Sequence, residues 1–295
     1  MFMNYILFYY GQIPDHIELA LNSILSTDKN AQIYFCTNQK YPKRNIENIN
    51  FNDFKDLEEK KIEFNTLLKE IDAPLQDNAL WSTSLMRLYV LKKIVEELNI
   101  NEFIHLDTDV VIYKSFEDIQ KEYNFSKTKL NITLLDSEHL VFGYSYFPTS
   151  QIVKNIHDNF ENIFENYDFY RNKYSNGGFI NEMKMMHIIR NEYPDIFSLL
   201  PSTPYKNNSI LFDPAGYGQF LDGAHLNRGN YYFIRRYISL NSEVGRELKS
   251  KRIKLQFKNK LPTVIYNSNK FELCNLHIHS KRLHKFLPKN YKSII

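Results

Sequence analysis

Phe103-Ile104-His105-Leu106-Asp107-Thr108-Asp109-Val110-Val111-Ile112-Tyr113 is the stretch on which the fold turns. It reads as a short strand, two acids one residue apart, and a second apolar run. A continuous apolar run of this length fits a strand buried on both faces. In an open α/β sheet, ligands bind at the C-terminal ends of such strands, which is where Asp107 and Asp109 fall. In an extended chain residues i and i+2 point the same way. Two carboxylates aimed together repel unless a cation lies between them. Hard oxygen ligands suit Mg²⁺ or Mn²⁺, ions that also take phosphate oxygens. An isolated D-x-D is more often a polar turn; the apolar flanks make this a poor place for solvated charges.

The helix before it is the clearest in the chain. It is expected over Asp77 to Leu98, with Leu85, Leu88, Leu91, Ile94, Val95 and Leu98 as its buried stripe and Arg87 off that stripe. Further upstream, Asn4 to Tyr10 and Ala31 to Thr37 read as strands. Between them Pro14 opens a helix with Ile17, Leu21, Ile24 and Leu25 on one face. Strand, helix and strand at this spacing make a βαβ unit, so a parallel sheet begins at the N-terminus. No Gly-x-Gly-x-x-Gly follows the first strand and no P-loop occurs, which argues against a Rossmann-type dinucleotide site.

Residues 40 to 60 are polar and read as irregular, and Ile62 to Ile71 as a short helix. Downstream, Lys129 to Leu135 and Phe142 to Phe147 read as strands, and Gln151 to Phe164 as a helix. Tyr174 to Phe179 reads as a loop and Ile180 to Arg190 as a helix. Leu211 to Gly223, dense in glycine and acids, is expected to be a site loop. Leu273 to His279 closes as a strand.

The chain has 295 residues, 43% hydrophobic and 24% charged, enough to bury a core without disulfides or structural zinc. Cys36 and Cys274 are far apart and lie in apolar runs, so buried reduced thiols and a cytoplasmic setting are expected. The sequons at Asn124, Asn131 and Asn207 then read as chance. A net charge of +3 implies no nucleic-acid partner. No run approaches the ~20 apolar residues of a membrane span, and the N-terminus lacks the basic region of a signal peptide. Basic residues crowd 246–260 and 281–292; the ordinary reading is a solvated face. The functional one is peripheral contact with an anionic surface, a membrane or a phosphorylated glycan.

In order along the chain, four features resemble nucleotide-sugar-dependent glycosyltransferases of the GT-A fold, glycogenin-like and sugar-binding-region enzymes among them. Ser84-Leu85-Met86-Arg87-Leu88-Tyr89 through Asp107-Thr108-Asp109 is similar to their S-x-x-x-R-Y/F helix and D-x-D. Ser175-Asn176-Gly177-Gly178-Phe179 is loosely similar to their N-x-G loop. Phe212 to Gly223 is similar to F-D-x-A-x-x-G-Q-x-L-x-G. Asn275-Leu276-His277-Ile278-His279-Ser280-Lys281 resembles the C-terminal histidine and lysine segment, although H-x-x-G-x-x-K-P-W itself is missing.

The resemblance implies a single α/β domain over 1–295 with a mostly parallel central sheet flanked by helices. Its nucleotide-binding half would span about 1–113 and its acceptor-side half about 114–295. It implies transfer of a sugar, from a UDP-sugar in the first instance, to a hydroxyl of a glycan, glycolipid or glycoprotein acceptor. Mn²⁺ or Mg²⁺ would sit on Asp107, Asp109 and one of His277 and His279. Arg87, Asp107, Lys281, Gly177, Gly178 and Gln219 would contact the donor. Asp222, Glu182 and Asp213 are the candidates for a base if the anomeric configuration inverts. Asp107-Thr108-Asp109-Val110-Val111 also matches the haloacid-dehalogenase phosphatase motif. There Asp107 would be a nucleophile, but that motif belongs after the first strand. A nucleotidylyltransferase would need a Gly-rich loop near Gly11. A catalytically dead glycan-binding protein is the non-enzymatic alternative.

Overall fold

The computed structural model describes residues 2–70, 79–205, 209–228, 230–234 and 237–295. The expected βαβ start is present: β1 (Met3–Tyr9), α1 (Asp15–Thr27) and β2 (Ala31–Thr37), with β1 and β2 parallel over seven residue pairs. Pro14, extended at φ −86°, ψ 156°, precedes α1, and Asp15 and Glu18 in its first turn complement the helix dipole. The polar segment after β2 is ordered, contrary to expectation. β3 (Ile46–Asn50) adds a parallel edge strand, and α2 (Lys55–Glu70) extends well upstream of Ile62.

α3 (Ala79–Glu97) carries the expected stripe, except Leu98, which is 39% exposed. The helix has ended there: Asn99 is left-handed at φ 52° and Ile100 N–H donates to the Val95 carbonyl. The expected start at Asp77, the expected end of the preceding helix at Ile71, and Asn207 lie outside the described residues.

β4 (Phe103–Leu106) pairs with β1 in parallel. β5 (Val110–Ile112) leaves the sheet and is followed by α4 (Phe116–Glu122), capped by Ser115 Oγ, which accepts from Asp118 N–H at 3.1 Å. β6 (Leu130–Asp136) and β7 (His139–Phe147) form a hairpin with a register shift after Ile132. Three helices follow: α5 (Ser150–Glu165), α6 (Tyr167–Ser175) and α7 (Glu182–Glu192). β8 (Phe197–Leu199) pairs with β6. The resulting seven-stranded sheet has the order β3-β2-β1-β4-β7-β6-β8, with β7 alone antiparallel to the rest. The mostly parallel sheet flanked by helices is therefore the architecture of the chain.

A smaller layer closes the site side. It comprises β9 (Ile210–Leu211), α8 (Gly216–Asp222), the hairpin β10 (Ala224–Arg228) and β11 (Asn230–Ile234), and α9 (Glu243–Lys249). It continues through β12 (Lys254–Lys258), β13 (Leu261–Tyr266), β14 (Asn269–Leu273) and β15 (Asn275–His277). Strands β12-β13-β14-β9 form a four-stranded sheet. The core follows this layering. One cluster packs α2, α3, α5 and α7 on one face of the main sheet, a second packs α1 and α4 on the other, and a third joins the small sheet to α8 and α9. Cys36 and Cys274 are free and buried, as expected, and burial pushes both thiols up. Among the described residues no helix is long and apolar enough to cross a membrane.

Candidate functional site

β1 and β4 run parallel, so Tyr9 and Leu106 end at one sheet edge. There the chain turns through Asp107-Thr108-Asp109, closed by Val110 N–H donating to the Asp107 carbonyl at 3.1 Å. The two acids converge through this turn rather than by strand alternation. Beyond it, β5 pairs antiparallel with β15, and the register sets His277 opposite Val110. Ile278 N–H donates to the Asp109 carbonyl at 2.9 Å, so the two chain segments are locked at the level of the acids.

His277 Nε2 stands 3.0 Å from Asp109 Oδ1 and 3.8 Å from Asp107 Oδ2. Lys281 Nζ contacts the second oxygen of Asp109. Arg87 Nη2 lies 2.8 Å from Asp107 Oδ1, and its Nη1 lies 3.1 Å from Glu182 Oε1. The helix start at Glu182 is fixed by Asn181, whose side chain accepts from Lys184 N–H. His279 stacks edge-on against His277 with 4.7 Å between ring centroids, and its Nδ1 is 3.0 Å from Gln219 Nε2.

Charge follows this geometry. Burial alone would raise Asp109; His277 and Lys281 outweigh it and hold the carboxyl well below its usual range. Asp107 is likewise lowered against burial, chiefly by Arg87. His277 is raised, because Asp109 and Asp107 outweigh its burial, whereas burial beside His277 pushes His279 down to about 3. Burial lifts Glu182 to about 8 against the pull of Arg87.

Asp109, His277 and His279 offer ligand atoms that all lie within 4.8 Å of one another. One carboxylate oxygen with two imidazole nitrogens is a donor set that can take a divalent metal ion with further ligands added. The second nitrogen of His277, Nδ1, is buried with no hydrogen-bond partner among the described residues, and Nε2 is the atom aimed at the acids. These residues fit a divalent cation.

The remaining expected residues fall in different places. Asp213 is fully buried in the backbone of the site. Its Oδ1 accepts from Tyr217 N–H at 2.9 Å, and its Oδ2 accepts from Gly218 N–H at 2.9 Å and His277 N–H at 3.0 Å. Burial raises it to about 6 despite those donors. The segment expected as a loop therefore contains α8, wound over that carboxylate. Asp222, at the end of α8, accepts from Ser280 Oγ at 2.6 Å, Arg282 Nε at 2.7 Å and Lys285 Nζ at 3.1 Å. Gly177 and Gly178 end α6: Asn176 and Gly177 are left-handed, and Gly177 N–H donates to the Arg171 carbonyl. The left-handed helix end accounts for Gly177.

Three residues here were not anticipated. A Cβ on Gly218 would sit 1.9 Å from the His277 carbonyl oxygen, and one on Gly143 would sit 2.7 Å from His277 Nδ1. His16, in the first turn of α1, is pushed down to about 4 by burial and by Lys281 nearby. A glycine inside α8 and a histidine just after the first strand were the available signals. Two cavities, of about 550 Å³ beside α1 and β2 and about 410 Å³ beside β6 and β8, are lined by none of these residues.

No family model matches the sequence, and no curated protein matches it. Solved structures do show likeness. Mouse xyloside xylosyltransferase 1, apo form, is 10% identical, with 68% of this chain and 86% of that one covered, at TM-score 0.45. The galactosyltransferase LgtC, in complex with donor and acceptor sugar analogs, is 13% identical over 68% and 74% of the two chains, at TM-score 0.42. PaToxG glycosyltransferase is 11% identical over 65% and 70%, at TM-score 0.42. Likeness of this degree carries no argument about activity.

Proposed function

We propose that this protein is a glycosyltransferase that moves a sugar from a nucleotide-sugar donor, a UDP-sugar in the first instance, to an acceptor hydroxyl of a glycan or glycolipid. The observation that carries this is the meeting of Asp107 and Asp109 with His277 and Lys281, two carboxylates with an imidazole and an ammonium from opposite ends of the chain. Asp109, His277 and His279, with Asp107 beside them, would hold Mn²⁺ or Mg²⁺. When bound, that cation spreads the negative charge that develops on a departing nucleoside diphosphate.

The chain's own residues do the rest. Arg87 fixes the orientation of Asp107 from α3. Lys281 and Arg87 supply positive charge for the diphosphate. The donor nucleotide lies over the ends of β1 and β2, where Gly11 N–H donates to Asn38 Oδ1 at 2.7 Å. Gln219 orients His279. Among the carboxylates, Glu182 is the one that stands at the aspartates, and burial favours its neutral form below about pH 8. Asp213 and Asp222 act by positioning: one holds the His277 backbone, the other the segment after Lys281. A phosphatase nucleophile at Asp107 fits poorly, because Arg87 occupies one of its oxygens.

Donor hydrolysis tests the proposal. Mn²⁺-dependent release of UDP from UDP-glucose, UDP-galactose or their N-acetyl forms is expected, and Asp109→Asn is expected to abolish it while the fold survives. Near-normal turnover by that variant, or stabilisation by GDP-sugars in preference to UDP-sugars, would count against the metal and donor assignments respectively. No hydrolysis with retained glycan binding would favour the lectin alternative.

A further inference from the structure

Each aspartate of the turn has a cation beside it, and the two cations differ in freedom. Arg87 is wedged between Asp107 and Glu182 with 17% of its side chain exposed. The Lys281 side chain is 47% exposed, whereas the Asp109 it contacts is 5% exposed. The backbone of Lys281 is fixed: its N–H donates to the Ile278 carbonyl at 2.9 Å, in a left-handed conformation at φ 61°. Only the flexible four-carbon stem has to rotate for the ammonium to leave. The oxygen it covers belongs to a residue whose carboxylate also faces His277 and His279.

We propose that Lys281 is a tethered, exchangeable cation that covers Asp109 until a diphosphate draws its ammonium away, so that divalent-ion binding at Asp109 depends on the diphosphate. This rests on the metal assignment made above. A dication entering beside Arg87 and Lys281 would set four positive charges against the two aspartates. Uncompensated positive charge beside the buried Asp109 carboxylate is costly where burial lowers the local dielectric. A diphosphate reverses the balance and supplies phosphate oxygens for the ammonium, a charge-assisted pairing stronger than a neutral hydrogen bond. Linkage then works both ways: the diphosphate tightens the metal, and the metal tightens the diphosphate by the same factor.

Mn²⁺ titration followed by electron paramagnetic resonance reads this without turnover. Wild-type protein is expected to bind Mn²⁺ weakly alone and roughly tenfold or more tightly with saturating UDP. Lys281→Met keeps most of the stem and removes the charge. It is expected to bind Mn²⁺ alone roughly fivefold or more tightly than wild type, and to gain less from UDP. Lys281→Arg, which keeps the charge, should retain weak binding. Tightening in the arginine variant too, no tightening in the methionine variant, or an undiminished UDP gain there would overturn the inference. If no protein binds Mn²⁺ with or without UDP, the metal assignment itself fails and the inference falls with it.

Discussion

Gly143→Ala is the sharpest probe of how the histidine is held. Gly143 lies in β7 at the register shift against β6, where the bulged strand turns towards the site. Its missing side chain leaves room for the His277 ring: an added Cβ would come 2.7 Å from Nδ1 and 3.5 Å from Cε1. Ordinary contact between such atoms begins near 3.5 Å, so the ring would have to retreat by about 0.8 Å. It has little freedom to do so. The His277 N–H is held by Asp213, its carbonyl lies against Gly218, and Nε2 is 3.0 Å from Asp109. Forced overpacking of this kind costs about 1–3 kcal/mol. Displacing a ligand's support costs roughly 10–100-fold in metal affinity, and a misplacement near 1 Å costs on the order of 100-fold in rate. Mn²⁺ affinity, UDP-sugar hydrolysis and melting temperature, measured side by side, should all fall. A Gly143→Ala protein that melts within about a degree of wild type and binds Mn²⁺ normally would show that the ring is not wedged against β7.

Other outcomes follow from the same geometry. Glu182 is raised from its ordinary 4.5 to about 8 by burial, so its contribution to stability is complete below about pH 4.5 and is lost as pH rises through 8. The loss is at most about 5 kcal/mol. Glu182→Gln should therefore flatten the fall in urea midpoint between pH 5 and pH 9, and parallel profiles for the two proteins would contradict the burial of the anion. Asp213→Asn turns an acceptor into a donor facing backbone N–H groups, which should cost about 1–3 kcal/mol and weaken Mn²⁺ binding together. Unchanged Mn²⁺ affinity would separate Asp213 from the site. Removing residues 287–295 deletes the hydrogen bonds that Asn22 and Ser26 of α1 make with the tail, which at about 0.5–1.5 kcal/mol per bond should lower the urea midpoint measurably. Sedimentation with anionic vesicles tests the exposed basic stretch 246–260, and binding that resists high salt would refute an electrostatic contact.

Much of this fold was legible because local pattern and burial agreed. β1, α1, β2, α3 and the Asp107–Asp109 turn each follow from apolar periodicity bounded by a cap or a turn. Where the segment depends on distant partners, pattern was silent. Ile46–Asn50 reads as polar because it is an edge strand, half exposed, and only its register with β2 makes it a strand. α8 looked like a loop because its two glycines oppose helix formation; the helix forms over the buried Asp213 carboxylate, and Gly218 is needed for contact with the His277 carbonyl. Asp213, Asp222, Lys281 and both histidines were visible as residue types. Their division into groups that face the acids and groups that hold backbone depended on β5–β15 pairing, which spacing does not encode. In the basic tail, Lys281, Arg282 and Lys285 pair with Asp109 and Asp222 while the side chains of Lys281 and Lys285 stay largely in solvent, a pairing that a charge run alone does not reveal.

The pairing of β5 with β15 bears on how the molecule comes to be folded at all. Val110 and His277 face each other across the β5–β15 ladder although more than half of the chain separates them. Closing a loop of that size carries an entropic cost on the order of 4–5 kcal/mol before any contact repays it. The parallel β1–β2–α1 unit can collapse early from local contacts, whereas this ladder is among the slowest to nucleate. Competence to bind an ion at Asp109 should therefore appear after most of the secondary structure has formed. In a stopped-flow refolding experiment, Mn²⁺ uptake would then lag the far-ultraviolet signal, and the site would serve as a built-in clock for the last step of folding.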